Sequence, residues 1–405
     1  MDEKSDYKCA VFPNMIFLTF LKLGCYSFGG PAAHLGYFYE EFVRRKGWLE
    51  ENEWGEIIAF TQLLPGPGSS QTGFLIGVLR GGLWGGLQAW LGFTLPSATL
   101  LILFAAGVDL LRSPAAEAAM RGLQIAAIAV VANAVRLMHR QLSPDGLRSI
   151  FALSALILVL ALPASVAQIA AIIAAGIGGA LFLNNSRTAP PSKLHLPISR
   201  RSADAALLLF AFLFVALEAL SRFTSVESIQ VLRAFYQSGA LVFGGGHVVL
   251  PLLQQTVVRS GWVSEPDFLT GYGAAQTIPG PLFTFAAYLG YLLSAQPNKI
   301  AGALMCLTAL FLPGILLVIG LAPYWRWMQG RKRARSALAG INAGVVGLLA
   351  AALVKIIMTT PSHDPLSVCL VVLNFVLLWS GRVSPLIVAG GSAAVCLLAH
   401  SLLTK

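Results

Sequence analysis

The residues best suited to chemistry in this chain surround four short glycine- and proline-rich stretches: "SFGGPAAH" (27–34), "QLLPGPGSSQ" (62–71), "FGGGHVV" (243–249) and "QTIPGPLF" (276–283). Proline lacks an N–H and glycine tolerates unusual dihedrals, so each stretch is a place where one helix stops and another begins. A helix that starts there presents free N–H groups and the positive end of its dipole, roughly half a charge, which is the chemistry of an anion site. The backbone donors expected to bind the anion belong to Gly29, Gly30, Gly66, Gly68, Gly244, Gly245, Gly246 and Gly280. Ser27, just before the first FGG, and Ser69 and Ser70, just after the first PGP, add hydroxyl donors, with capping or packing as their plainer use. Gln62 and Gln276 each precede a PGP by three residues and can donate to the freed backbone or to a ligand. His34 and His247 lie in the first turns after the FGG breaks, where they can carry protons or cap a buried hydrogen bond. Lys22 lies about two turns before the first FGG, inside an apolar run where a charge is costly and usually functional; its plainer reading is snorkelling to an interface. Pro31, Pro65, Pro67, Pro96, Pro279, Pro281 and Pro313 are assigned to helix breaks.

The elements that must position these residues are membrane helices. With 56% hydrophobic and 11% charged residues and a mean hydropathy of +0.73, the chain carries far less charge than the roughly 25% of a soluble domain. It reads as an all-α polytopic membrane protein whose first partner is the lipid bilayer, with no stretch long enough for a separate soluble domain. No cleavable signal peptide is expected, because "MDEKSDYK" is charged and the following apolar run lacks a small-residue cleavage site. The formal charge of +10 is no sign of nucleic acid, since the basic residues sit in short loops between apolar runs. Cys9, Cys25, Cys306, Cys369 and Cys396 show no CxxC spacing and read as packing residues.

The chain repeats itself. Phe28, Gly29 and Gly30 align with Phe243, Gly244 and Gly245; Arg44 with Arg259; Trp48 with Trp262 after a one-residue gap. Gln62, Pro65, Gly66 and Pro67 align with Gln276, Pro279, Gly280 and Pro281, and "GFTLPS" with "ALFLPG" through Pro96 and Pro313. Lys22 falls opposite the neutral Gln237, and Gln124 opposite Asn342. Two homologous halves follow, 14–183 and 227–400, joined by a linker over 184–226 that holds one connecting helix at 203–222. Each half reads as two pairs of short segments, 14–29 with 31–46 and 51–64 with 68–80, then four longer ones at 82–111, 114–140, 146–162 and 164–183. The second half repeats them at 228–244, 247–259, 265–278, 281–295, 299–324, 334–358, 365–379 and 384–400.

Lys and Arg placement sets the orientation. Arg136, Arg140 and Arg148 follow the sixth segment of the first half, whereas in the second half Arg326, Arg331, Lys332, Arg333 and Arg335 follow the fifth. The halves are therefore expected to be inverted, with the N-terminus cytoplasmic and the C-terminus outside. Segments of 13 to 16 residues reach only roughly 20–24 Å, short of a hydrocarbon core of about 30 Å. The hairpin tips are thus expected inside the membrane, where broken backbone survives only in protein or beside a cavity. Four positive helix ends converging from both sides would match a dianion.

An enzyme would need a catalytic set at these tips. The sequence has no HxxxH, acidic pair or reactive cysteine near FGG or PGP, so neither catalysis nor a metal or other cofactor is expected. Glu40, Glu41, Glu53, Glu56 and Asp267, near the hairpin loops, read as solvated carboxylates. A lipid-phosphate flippase could use the same tips and is the weaker alternative.

"SFGGPAAHLGYF", "QLLPGPGSSQTG", "GFTLPSA", "FGGGHVVLPLL" and "GYGAAQTIPGPLFTFAAYLG" resemble the paired signatures of the long-chain chromate transporter family, bacterial membrane proteins with two homologous halves. The resemblance covers both halves and implies chromate efflux across the bacterial inner membrane, driven by membrane potential or the proton gradient, with resistance as its outcome. Sulfate is the natural analogue of chromate, so a sulfate importer or exchanger shares every feature. A homo-oligomer is left open.

Overall fold

The structure, a computed structural model, describes residues 13–403 except 29, 63, 111–113, 162–163, 184–195, 243–248, 326–330 and 360–364. Among the described residues every regular element is helical. The first half contains α1 (Pro13–Tyr26), α2 (Gly30–Tyr39), α3 (Glu51–Thr61), α4 (Gly68–Leu110), α5 (Pro114–Leu142), α6 (Gly146–Ala161) and α7 (Ala164–Phe182). The connecting helix α8 spans Arg200–Phe223. The second half contains α9 (Glu227–Leu241), α10 (Val249–Leu253), α11 (Glu265–Ala275), α12 (Phe285–Leu292), α13 (Lys299–Leu321), α14 (Lys332–Thr359), α15 (Pro365–Trp379) and α16 (Pro385–Leu403). Six of these, α4, α5, α8, α13, α14 and α16, are long and apolar enough to cross a membrane. The protein is an all-α polytopic membrane protein.

The short segments end where the sequence breaks them. Gln62 closes α3 and a new helix starts at Gly68, while in the second half α11 ends at Ala275 and a 3-10 turn, Leu282–Thr284, leads into α12. The expected single segment 281–295 is therefore a turn plus an eight-residue helix. The chain over 68–110 is nominally one helix, but Gly81 and Gly82 leave helical dihedrals, and a Cβ on Gly77 would lie 2.3 Å from the Gly85 carbonyl oxygen. Eight residues of straight helix would separate these by about 12 Å. The two arms thus fold back on each other as a hairpin. Gly290 and Gly302 make the same close approach between α12 and α13, where a Cβ on Gly290 would lie 2.3 Å from the Gly302 oxygen. Both halves also widen into a π-helical turn at one place, Glu40–Arg45 and Gln254–Val258, just before the buried Trp48 and Trp262.

The halves interlock. α5 of the first half packs against α11, α14, α15 and α16 of the second, while α14 packs against α6 and α7 of the first. Small residues make these crossings close: a Cβ on Gly122 would meet the Ser392 oxygen at 2.4 Å, and one on Gly340 the Ala175 oxygen at 2.2 Å. α8 has no counterpart in the first half and lies against α9 and α13.

Candidate functional site

The two PGP turns meet the opposite half. Gly66 takes φ +123° and Gly280 φ +100°, which suit glycine alone. In that conformation the Gly66 N–H donates to the Val242 carbonyl at 2.6 Å, and the Gly280 N–H donates to the Ser27 carbonyl at 2.9 Å. Ser27 and Val242 each precede the Phe of an FGG break, so the two bonds are reciprocal. Pro96 and Pro313, expected at helix breaks, lie inside α4 and α13, and the helix beside them backs the same turns: a Cβ on Gly66 would lie 3.1 Å from Gly314 Cα, next to Pro313, and one on Gly280 would lie 2.8 Å from Ser97 Oγ, next to Pro96.

Around this junction the first half supplies a polar lining. His34 Nε2 donates to the Ser27 carbonyl at 3.1 Å, because a carbonyl only accepts. In the neutral ring Nδ1 then accepts from the Ser69 hydroxyl at 3.2 Å. Ser27, His34, Ser69, Ser70, Gln71 and Thr72 are all buried. Gln71 Nε2 donates to the carbonyls of Pro65 at 2.7 Å and Gly314 at 3.2 Å, tying the first PGP to the second half. The hydroxyls of Ser27, Ser70 and Thr94 and the Gln71 carbonyl oxygen are buried with no partner among the described residues. Gly30 and Gly68 begin α2 and α4 here, so the Ser27 and Ser70 hydroxyls sit beside helix N-termini, while Thr94 lies mid-way along α4. A cavity of about 110 Å³ opens next to them, lined by Gly30 and Gly280 and by Asn133 and Gln276.

The structure does not gather every sequence-predicted residue. Lys22 is exposed on α1, in one stripe with Met15, Leu18, Cys25 and Tyr26, and Gln62 is exposed at the end of α3. Gln276 lines the cavity, with its amide nitrogen buried beside the Tyr272 hydroxyl. Gly29, Gly244, Gly245, Gly246 and His247 lie outside the described residues. Gln124 is spent on the Pro266 carbonyl and the Thr270 hydroxyl. The loop carboxylates are tied up locally: Glu41 with Arg45 and Lys46, Glu53 on the Glu50 N–H, Asp267 with Ser264. Among the described residues no group of three His, Cys, Asp or Glu side chains could hold a metal ion.

Sequence reasoning missed Gln71, Thr94 and Asn133. Gln71 was findable, since it stands four residues after Pro67 and one turn into α4; Asn133 carries no local motif, and only packing brings it to the cavity.

The sequence profile of the chromate transporter family matches the chain twice, over residues 15–180 and 229–397. The chain belongs to the chromate transporter family. It is 27% identical to the chromate transport protein of Pseudomonas aeruginosa over 383 residues, 92% of this chain and 89% of that protein. It is also 27% identical to the chromate transport protein of Cupriavidus metallidurans over 393 residues, 96% and 93% of the two chains. An uncharacterized transporter of Bacillus subtilis, YwrA, is 26% identical over 135 residues, which are 33% of this chain but 74% of that one. No solved structure matches. In this family member the reciprocal Gly66 and Gly280 bonds join the two matched regions at the tips.

Proposed function

We propose that this protein carries a tetrahedral dianionic oxyanion, chromate by kinship with its named relatives, out of the cytoplasm across the bacterial inner membrane. The observation that carries the reading is the set of buried hydroxyls with no partner among the described residues, Ser27 and Ser70 foremost, beside the N-termini of α2 and α4. Leaving such a donor unmade costs about 1–3 kcal/mol, so the lining favours a ligand rich in acceptors. Chromate and sulfate have acceptor oxygens on every vertex, and their charge suits helix N-termini better than any neutral solute. Ser69, His34 and the Gly66 and Gly280 turns hold the pocket's shape, Gln276 lines the cavity side, and Lys22 adds attraction at longer range.

In this reading the repeats 14–183 and 227–400 are inverted, the N-terminus is cytoplasmic and the C-terminus outside. Arg136, Arg140 and Arg148 then mark the cytoplasmic side. Moving one charge through 100 mV is worth about 2.3 kcal/mol, so expelling a dianion from a negative-inside cell gains roughly twice that. Efflux therefore needs no coupling ion, and import of sulfate through the same site would have to work against the same field.

The test is accumulation of labelled chromate in inverted membrane vesicles under an imposed potential and no pH gradient, with and without excess sulfate. Saturable, voltage-dependent uptake that sulfate suppresses is expected. Uptake that waits for a proton gradient would overturn the voltage-driven reading, and no uptake under either condition would overturn the substrate.

A further inference from the structure

The cavity beside the tips extends beyond the binding site there, with Gln276, Gly30 and Gly280 common to both. Its volume of about 110 Å³ accommodates several waters at roughly 10–15 Å³ of probe space each, so it is a wet space. Two carboxamides line it, Asn133 on α5 and Gln276 at the end of α11, with Gly30 and Gly280 at the tip side. Behind Asn133 stands Arg136: its Nε and Nη2 donate to Asn133 Oδ1 at 3.1 and 3.0 Å, and its guanidinium lies 5.0 Å from the Trp379 ring centroid. With Oδ1 occupied by two donors, the Asn133 amide is oriented by its network, and its NH2 group, for which no acceptor is found among the described residues, is the part left for the cavity. Gln276, in the same lining, has its amide buried beside the Tyr272 hydroxyl. Among the described residues no carboxylate pairs with Arg136, so its positive charge is not cancelled locally.

We propose that Asn133, Gln276 and Arg136 form an antechamber that captures the oxyanion from the cytoplasm before it reaches the helix tips; this rests on the oxyanion reading above. Asn133 touches the anion through neutral N–H donors, and Gln276 shapes the lining opposite it. Arg136 is a positioning residue: it fixes the Asn133 amide and, half-buried against Trp379, supplies an attractive field that a water-filled pocket with low-dielectric walls concentrates. Neutral donors at the contact point let the ion leave toward the tips, where a directly contacting guanidinium would hold it. The ligand class is a small oxyanion without its own donors.

The experiment measures initial rates of labelled chromate uptake into inverted vesicles against chromate and salt concentration, alongside equilibrium chromate binding to the purified full-length protein. Arg136→Gln is expected to raise KM about tenfold with kcat within twofold, and to flatten the rise of KM with salt. Arg136→Lys, which keeps the charge but not the two-pronged hold on Asn133, should restore the salt dependence while leaving KM partly raised. Asn133→Asp, nearly isosteric but acidic, should raise KM about a hundredfold or more, and Asn133→Ala less. Unchanged KM in Arg136→Gln and Asn133→Asp, with wild type transporting, would overturn the antechamber alone. A wild-type protein that neither binds nor carries chromate would overturn the substrate reading, and the antechamber with it. A fall in kcat at constant KM in all four variants would assign these residues to structure and would also overturn it.

Discussion

The two halves share one backbone design and differ in what they put on it. After the first PGP come Ser69, Ser70, Gln71 and Thr72; after the second, Leu282, Phe283, Thr284, Phe285 and Ala286. Around the prolines inside the long helices the first half has Thr94 and Ser97, the second Phe311 and Gly314. The second tip packs ring on ring, with Phe283 5.9 Å from Phe311 and Phe285 5.1 Å from Phe268 between centroids. The first tip hydrogen-bonds, with His34 holding Ser69 and the Ser27 carbonyl. Each turn nevertheless reaches into the other half through the same glycine N–H bond. A symmetric scaffold can therefore hold an asymmetric site, because backbone hydrogen bonds set the geometry while side chains set the chemistry.

The sharpest way to break this difference is to copy one half into the other. Ser69→Phe, after Phe283, fills the polar tip with a ring and removes the Ser69 hydroxyl from His34. Saturable chromate uptake should fall by more than about a hundredfold, while Phe283→Leu should leave it within about threefold, since a hydrophobic swap of this kind usually costs under about 1.5 kcal/mol. Equal losses in both would mean that the tips are equivalent.

Next in size are the turns. Gly66→Ala and Gly280→Ala both force a side chain into a glycine-only conformation at a cost on the order of 1–3 kcal/mol. The added Cβ of Gly66→Ala meets Gly314 Cα at 3.1 Å and the Gln71 amide at 2.7 Å, which would have to give up its bonds to Pro65 and Gly314. That of Gly280→Ala meets Ser97 Oγ and Cβ at 2.8 and 3.0 Å, without a hydrogen bond of that kind at stake. Gly66→Ala should lower the melting temperature of the purified protein more than Gly280→Ala does, and the reverse order would show that the second turn is the tighter one.

Gln71→Leu removes both bonds from Nε2 to Pro65 and Gly314. A loss of roughly 1–3 kcal/mol in unfolding stability is expected from the carbonyls left unpaired, read by denaturant titration in detergent; Phe285→Leu, at the opposite position, should cost less than about 1.5 kcal/mol.

The smallest effect concerns Lys22. In the second half its counterpart Gln237 donates to Glu218 of α8 at 3.0 Å, and Arg233 joins the same carboxylate at 3.1 Å. Among the described residues the first half has no helix in that place, and Lys22 stands exposed. Lys22→Gln, which gives α1 the residue of α9, should reduce uptake by about two- to threefold, on the scale of an exposed charge interaction of less than about 1 kcal/mol. A hundredfold loss would instead make Lys22 a direct ligand.

Much of this was legible in the residues themselves. Alternation of apolar runs with Gly and Pro marked the helices and their breaks, because a missing N–H or a missing Cβ acts on the backbone at its own position whatever surrounds it. The repeat exposed the pairing of Gly66 with Gly280 and of Pro96 with Pro313. The serines at the first tip could be named as donors on position alone, yet not which of them stays free: Ser69 is engaged by His34, thirty-five residues away in the chain, and Ser27 and Ser70 are not. Lys22 is the reverse case, since its segment was evident but the side of α1 it occupies depends on what packs there.

By itself, then, the sequence determined the all-helical membrane class, the two halves, the four breaks and the family, since these rest on composition and on local backbone rules. Only the tertiary structure decided that the halves interlock through α5 and α14, that each PGP bonds to the residue before the other half's FGG, and that Asn133 and Gln276 share a cavity with Gly30 and Gly280. Those facts join residues as many as 253 positions apart, Ser27 and Gly280. They depend on which faces fit when long helices cross, a matter of side-chain volume and close approach at glycines such as Gly122 and Gly340, to which no single stretch of chain has access.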